Sequence, residues 1–160
     1  MMASARRPEC AVRRIVSGGQ TGVDEGALDA ALELGIEHGG WCPRGRRNER
    51  GTIPARFELT ETETANYAER TRLNVRDSDG TLIIHRGPLT GGTRLTRDIA
   101  RRLDKPVMLV DLESTPVDLR AVRRWIDAHR IEVLNVAGPR ESTSPGIQET
   151  ARALVRDLLE

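Results

Sequence analysis

The segment Gly18-Gly19-Gln20-Thr21-Gly22 combines residue types that can hold an anion. It follows the β-branched pair Ile15-Val16 and precedes an alanine-rich pattern with helical spacing, which predicts a turn from a strand into a helix. Glycine lacks the Cβ atom that would keep a ligand away from the backbone, and free amides at a helix N-terminus attract phosphate. Because the spacing fits neither GxxxxGKS/T nor GxGxxG, we predict an anion site without naming the anion. A tight turn that needs glycine only for packing is the alternative.

Two further turns carry similar residues after strand-like segments. The sequence GPLTGGTRLT at residues 87–96 follows the apolar segment 81–85, and AGPRES at 137–142 follows 132–136. The carboxyl ends of parallel strands meet at one edge of a sheet, where ligands bind in α/β proteins. We therefore predict that all three turns converge on one crevice. In the second and third turns the predicted ligand contacts are Gly91, Gly92, Thr93, Arg140, Glu141 and Ser142.

Residues 39–54, the flap, form a long loop that is rich in arginine. Guanidinium groups bind phosphate and carboxylate through paired hydrogen bonds, so Arg44 and Arg47 are candidate anion ligands. A solvated basic loop is the alternative interpretation. Long loops in a compact domain are usually functional or disordered, and the apolar side chains of Trp41 and Ile53 favour an ordered flap.

The remaining residues that could do chemistry are better explained by helix capping and packing than by catalysis. Thr21 and Asp24 have the spacing of a helix capping box, so we expect Asp24 to cap the helix after the first turn. The three histidines show no zinc-ligand spacing, and two cysteines are too few for an all-cysteine zinc site. We therefore predict neither a catalytic residue nor a metal site.

A mostly parallel sheet is the element that would bring the three turns together. Three segments repeat the order of strand, glycine-containing turn and helix, which implies an α/β fold with helices on both faces of the sheet. The predicted strands span residues 13–17, 81–85, 106–111 and 132–136. The predicted helices include a polar one at about 61–73, one at 117–128, and a C-terminal one with Pro145 at its first position.

The composition excludes several function classes. The chain of 160 residues has 25 Lys plus Arg against 24 Asp plus Glu, so it offers no broad basic surface for nucleic acid. No apolar run reaches the roughly 18–20 residues of a membrane span, and the first residues lack the apolar stretch of a signal peptide. We expect a cytoplasmic protein without nucleic-acid or membrane partners. The length predicts one domain over residues 12–160, preceded by a disordered tail at 1–11.

Six blocks of sequence carry a resemblance to a known family. They are SGGQTGVDEGALDAA, GGWCPRGRRNERGTIP, RTRLNVRDSDGTLI, LTGGTRLT, KPVMLVDL and LNVAGPRESTSPGI. Together they resemble the molybdenum cofactor carrier family over residues 13 to about 155, which is almost the whole chain. The resemblance implies a Rossmann-like three-layer fold in which helices flank the mostly parallel sheet.

The resemblance also implies a ligand and partners. Relatives in this family carry molybdenum cofactor (molybdopterin), a pterin with a phosphate and an oxomolybdenum centre, as homo-oligomers. Such a ligand is anionic at both ends, which suits glycine turns and arginines. The implied partners are a small anionic ligand, further copies of the chain, and molybdoenzymes that receive the cofactor.

The same fold group includes phosphoribohydrolases with the motif PGGxGTxxE, whose glutamate is catalytic. In this sequence Thr96 stands where that acid would fall, which argues against the same hydrolysis by the same residue and leaves Glu141 or Asp24 as the possible acid. Our first hypothesis is therefore a binding or carrier protein rather than an enzyme. The alternatives are an enzyme like the nucleoside 5'-monophosphate phosphoribohydrolases and a sensor module that binds a nucleotide-derived signal.

Overall fold

A central parallel sheet organises the molecule in a computed structural model that describes residues 11–114 and 116–160. In chain order, the strands of these residues are β1 (Arg14–Val16), β2 (Glu37–Gly39), β3 (Trp41–Cys42), β4 (Arg47–Asn48), β5 (Gly51–Thr52), β6 (Thr60–Glu61), β7 (Gly80–His85), β8 (Val107–Asp111) and β9 (Val133–Ala137). Five of them form the sheet in the order β2-β1-β9-β7-β8, and every neighbouring pair is parallel.

Helices cover both faces of this sheet. In chain order they are α1 (Val23–Leu34), α2 (Tyr67–Arg76), α3 (Gly91–Arg102), α4 (Leu119–Ala128) and α5 (Ile147–Leu159). Helix α1 packs against α5, α4 contributes to the same apolar core, and α2 packs against α3 on the other side. This three-layer α/β arrangement with a parallel sheet confirms the predicted fold class.

Apolar strands and helix faces bury the sheet. Strand β7 is buried along its whole length, as expected for an inner strand with helices on both faces. The larger core contains all five apolar residues that the helical spacing places on the inner face of α5, namely Ile147, Ala151, Leu154, Val155 and Leu158. In the part of the chain that the structure describes, no helix is long and apolar enough to cross a membrane.

Several boundaries differ from the sequence prediction. The polar helix expected at about 61–73 is α2, which begins later because the Asn66 side chain caps it by accepting a hydrogen bond from the Ala68 amide at 2.8 Å. Helix α5 begins after Gly146, which has a left-handed φ of 87°, so Pro145 precedes the helix. The sequence does not predict β2, because Glu37–Gly39 has no apolar pattern. The predicted tail, except residue 11, lies outside the described residues, and a single domain over 12–160 remains a prediction.

The flap packs on the body of the protein through a small apolar cluster. This cluster consists of Leu28, Cys42, Ile53 and Phe57. Above it, the guanidinium Nη2 atom of Arg46 donates to the carbonyl oxygens of Pro54 and Phe57 at 2.9 and 2.8 Å. This arginine therefore fixes the backbone of the loop, and the antiparallel pair β4–β5 forms the tip of the flap.

Candidate functional site

A cavity of about 410 Å³ lies at the carboxyl ends of β1, β7 and β9. The segment after each of these strands contributes to its wall, and α2 forms a further side. Its volume falls in the range of roughly 300–1,000 Å³ that is typical of small-molecule sites. The three predicted turns therefore do meet at one place. Of the predicted site residues, those that line the cavity are Gly18, Gln20, Gly91, Gly92, Thr93 and Arg140.

The other predicted site residues lie outside this cavity. Arg44 borders a separate, shallower depression together with Glu61 and Glu63, and Arg47 is exposed on β4. The flap arginines thus do not line the cavity, and the loop instead packs on the first turn at Gly19 and Thr21. The remaining five residues make contacts within the protein that are described below: Gly19, Thr21, Gly22, Glu141 and Ser142.

Helix α3 begins in the cavity wall with Gly91, Gly92 and Thr93. The first amides of any helix have no intrahelical acceptor. Thr90, the N-cap residue, makes no side-chain capping bond, so its side chain does not supply one. A Cβ atom built on Gly91 or Gly92 would meet nothing within 4 Å, so both glycines border open space. A helix N-terminus of this kind typically favours an anion by roughly 0.3–1 kcal/mol.

Three buried side chains in the cavity wall have polar atoms without a partner among the described residues. Gln20 uses Oε1 to accept two backbone hydrogen bonds, which leaves Nε2 unpaired. Asn135 donates through Nδ2 to the Thr81 hydroxyl at 3.2 Å, which leaves Oδ1 unpaired. The Thr93 hydroxyl is buried as well and makes no hydrogen bond within the described chain. Because buried polar groups are normally hydrogen-bonded, these atoms indicate a site for a polar ligand.

Arg70 and Asp24 add charged groups to the cavity wall that the predicted set of contacts does not include. Arg70, from α2, donates through Nη1 to the carbonyl oxygen of Gly18 at 2.8 Å, and its Cζ atom lies 5.0 Å from the centre of the Tyr67 ring. Asp24 is only 6% exposed. Burial raises the pKa of the Asp24 carboxyl, and the nearby Arg70 guanidinium offsets part of that rise.

Asp24 does not form the predicted capping box. Helix α1 starts at Val23 with Gly22 as its N-cap, and no side chain caps it. Instead, Asp24 accepts a hydrogen bond at Oδ2 from the Gln20 amide at 3.2 Å, within the turn that precedes the helix. The prediction was wrong because the N-cap residue is Gly22 and not Thr21, and the Thr21 hydroxyl oxygen accepts the Glu141 amide of the third turn instead of an amide of α1.

Gly22 and Gly19 allow close packing around the first turn. Gly22 has φ of 83°, and a Cβ atom there would lie 2.4 Å from the carbonyl oxygen of Pro139 in the third turn. Gly19 also has φ of 83°, and its Cβ would lie 2.7 Å from the Ile53 side chain in the flap. The packing alternative therefore accounts for these two glycines, since each allows a neighbouring segment to approach the first turn closely.

The carboxylate of Glu49, in the flap, joins the first and third turns. It accepts hydrogen bonds from the hydroxyls of Thr21 and Ser142 and, at 3.1 Å, from the Ser142 amide. The Arg140 guanidinium lies 3.8 Å away, and the Glu49 side chain is 16% exposed. Two residues that the sequence suggests as ligand contacts, Thr21 and Ser142, thus hold a carboxylate of the protein itself.

Glu49 makes the attachment of the flap sensitive to acid. Hydrogen bonds from Ser142 and Thr21 outweigh the effect of burial and lower the pKa of the Glu49 carboxyl. A lowered pKa means that this stabilisation is complete above the ordinary glutamate value and is lost as the pH falls through the lowered value, below about pH 4. We expect Glu49→Gln to speed hydrogen exchange of the flap amides at pH 7 and to remove their acid sensitivity. The exposed Glu58→Gln is the control; equal exchange in both variants would contradict the attachment.

Glu141 caps a helix and does not line the cavity. Its carboxylate accepts hydrogen bonds from the amides of Gly146 at 2.6 Å and Gln148 at 3.0 Å, at the start of α5. Its own amide donates to the Thr21 hydroxyl oxygen at 3.2 Å. The acid that the sequence offers for hydrolysis is therefore occupied by backbone capping, and of the two acids considered it is Asp24 that borders the cavity.

The cavity wall combines backbone amides, two arginines, unpaired polar side chains and one buried carboxyl. This set can bind a small polar molecule with an anionic group at one end. Within residues 11–114 and 116–160, no group of three or more histidine, cysteine, aspartate or glutamate side chains could hold a metal ion.

The parallel sheet, its crossover helices and the cavity at the strand ends define a Rossmann-like α/β protein. The chain belongs to the circularly permutated YpsA SLOG family, whose pattern matches residues 15–159. It is similar to a crystal structure from Syntrophus aciditrophicus SB named "Putative molybdenum carrier protein", with 42% identity, a TM-score of 0.90, and coverage of 94% of this chain and 96% of that chain. No curated protein matches it. These findings confirm the predicted resemblance to the molybdenum cofactor carrier family.

The strand order explains the position of the cavity. Counted from β7 as the first strand, the sheet has the doubly wound order 2-1-3-4-5, with β7 first, β8 second and β9 third. In such sheets the second strand is added on one side of the first strand and the third strand on the other side. Ligands bind in the crevice that opens between the first and third strands. The segments after β7 and β9 both line the cavity, so it occupies the switch point of this sheet.

Proposed function

We propose that this protein binds and carries a phosphorylated heterocycle, with molybdenum cofactor as the first candidate. The observation that carries the proposal is one cavity in which unpaired buried polar atoms, two arginines and the first turn of α3 meet. The name of the similar Syntrophus protein supports the same class of cargo. The net charge of +1 means that the attraction for an anion has to be local to this cavity.

The anionic group binds at the first turn of α3. The amides of Gly91, Gly92 and Thr93 supply donors without intrahelical acceptors, and the absence of side chains on the two glycines lets a phosphate approach the backbone. Arg140 adds positive charge from the third turn, and Arg70 adds it from α2. A charge-assisted hydrogen bond contributes more than a neutral one, so the arginines carry the larger share of the affinity.

The ligand contacts belong to the cavity-lining part of the predicted set, with Arg70 and Asn135 added to it. Thr21 and Ser142 act indirectly, because they hold the Glu49 carboxylate and through it the flap. Arg44 is left out, because it lies outside the cavity.

We favour a carrier over a hydrolase, because Glu141 caps α5 and Thr96 donates its hydroxyl to the Gly92 carbonyl oxygen at 2.8 Å. In this proposal the protein works in the cytoplasm as a homo-oligomer and passes its cargo to molybdoenzymes. A sensor role would use the same cavity and would require a separate effector protein.

Titration calorimetry tests the proposal directly. Purified protein is titrated with intact molybdenum cofactor prepared anaerobically, and adenosine monophosphate is the comparison ligand. We expect a Kd in the micromolar range or tighter for the cofactor and weaker binding of the nucleotide. Arg140→Gln is expected to weaken cofactor binding about tenfold or more, because it removes a charge-assisted contact.

Arg44→Gln provides the matched control, because it removes the same charge from a position outside the cavity. Its affinity should equal that of the unmodified protein. An equal loss in both variants would show that the arginines act only through overall charge. Tight binding of adenosine monophosphate with no binding of the cofactor would overturn the proposed cargo and favour the hydrolase alternative.

A further inference from the structure

The cavity wall also contains buried hydrogen-bond acceptors. Asp24 lies in the first turn of α1, and Asn135 lies in β9 directly beside Val16, the last residue of β1. Both side chains border the cavity and both are buried, with exposures of 6% and 3%. They stand on elements other than α3, where the anionic group of the ligand is proposed to bind.

Asn135 is incompletely paired within the protein, and Asp24 is held mainly by its own turn. The Asp24 carboxylate accepts the Gln20 amide at Oδ2, the neighbouring Ser17 hydroxyl and Gly18 amide also stabilise its charged form, and it forms no ion pair with a described residue. Asn135 uses only its Nδ2 atom, so its Oδ1 atom has no donor in the described chain. Burying an acceptor without a donor costs stability, and burying a carboxylate costs more. The unpaired oxygen of Asn135 and the remaining lone pairs of the Asp24 carboxylate can accept N–H groups that a ligand supplies.

We infer that Asp24 and Asn135 select a heterocycle that presents adjacent N–H donors on one edge, as guanine and pterin rings do. The 2-amino group and the neighbouring ring N–H of these rings match the two oxygens of a carboxylate. Adenine presents a ring nitrogen acceptor instead, which a carboxylate repels. The inference rests on the proposed function, because the phosphate end has to bind before the ring end can discriminate.

A series of three nucleotides tests the ring end without any variant. Guanosine, inosine and adenosine 5'-monophosphates share one phosphate and one sugar, and at ring positions 1 and 2 they offer the carboxylate two adjacent donors, one donor and none. We expect calorimetric affinities in that order, with each step about tenfold, the effect of one hydrogen bond to a charged group. Equal affinities for the three, or tighter binding of adenosine monophosphate, would overturn the inference.

Asp24→Asn tests the same contact by replacing one of the two hydrogen-bond acceptors of the carboxylate with a donor. The asparagine amide can still accept the Gln20 amide through its oxygen, and it presents an N–H donor to the ligand. Xanthine has a carbonyl oxygen where guanine has its 2-amino group, so the variant should prefer xanthosine monophosphate over guanosine monophosphate. A variant that merely disturbed the fold would weaken both nucleotides alike. Asp29→Asn, on the same helix but engaged with Arg56 outside the cavity, is the control and should keep the original order.

The outcomes separate this inference from the proposed function. A guanosine preference that is lost or reversed in Asp24→Asn supports the ring assignment. Cofactor binding without any preference among the nucleotides overturns the ring assignment and leaves the carrier proposal standing. If neither the cofactor nor any nucleotide binds, the proposed function fails and the inference fails with it.

Discussion

Gly22→Ala should lower the free energy of unfolding by roughly 3 kcal/mol or more, from two causes that add. The backbone at this position has φ of 83° and ψ of −130°, a conformation that suits only glycine. A new Cβ atom would also lie 2.4 Å from the Pro139 carbonyl oxygen and 2.7 Å from the Glu141 amide nitrogen, both of them backbone atoms. The first and third turns would have to separate. Chemical denaturation of the two proteins measures the difference.

Gly92→Ala is the matched substitution in the second turn. Its Cβ atom would meet nothing within 4 Å, and the residue lies inside the first turn of α3. Alanine there should leave stability unchanged or raise it by up to about 1 kcal/mol, because a helical glycine is less favourable than alanine. Cavity ligands should nevertheless bind more weakly, since the methyl group enters the space beside the helix amides. Equal destabilisation by the two substitutions would refute the division into packing and cavity glycines.

Arg70→Gln should weaken binding of the cofactor, or of a nucleoside monophosphate, by about 10- to 100-fold. The side chain faces the cavity from α2, and its position is fixed by the hydrogen bond to Gly18 and by the Tyr67 ring. Glutamine keeps a hydrogen-bond donor on a shorter side chain and removes the charge. Loss of affinity should be steepest at low salt, because the lost attraction is electrostatic.

Arg72→Gln controls for the charge of α2, because Arg72 is exposed two residues further along the same helix and does not line the cavity. Thermal melts of both variants should stay close to that of the unmodified protein. Wild-type affinity in a folded Arg70→Gln protein would remove this arginine from the site. An equal loss in both variants would mean that the whole helix surface, and not the cavity, attracts the ligand.

The convergence of the three turns is predictable from sequence because it follows from strand direction alone. Apolar segments such as 81–85 and 132–136 are readily identified as buried strands, and parallel strands necessarily bring their following turns to one edge. The separate roles of the glycines in those turns are not predictable in this way. Gly22 and Gly92 look equivalent in the sequence, and only the distance from each one to the neighbouring backbone distinguishes them.

Arg70 and Glu49 lie beyond sequence reasoning for a related reason. Arg70 meets Gly18 across 52 residues, and nothing in the polar pattern of α2 distinguishes it from the other arginines of that helix. Glu49 meets Ser142 across 93 residues. Asn135 could have been singled out from the sequence, because a polar residue inside the apolar strand VLNVA needs partners, and Thr81 of β7 supplies one for Nδ2 only.

The pairing of β1 with β9 has a consequence for synthesis on the ribosome. Residues 14–16 are made early, but their sheet partners at 133–135 and the helix α5 that covers α1 are made more than a hundred residues later. Until then the side of α1 that packs against α5 has no cover, and β1 has only β2 beside it. Contacts between residues so far apart in sequence form slowly. The apolar surfaces that are exposed in the meantime can aggregate or bind chaperones. The nascent chain therefore completes its cavity only when nearly all of the domain has emerged.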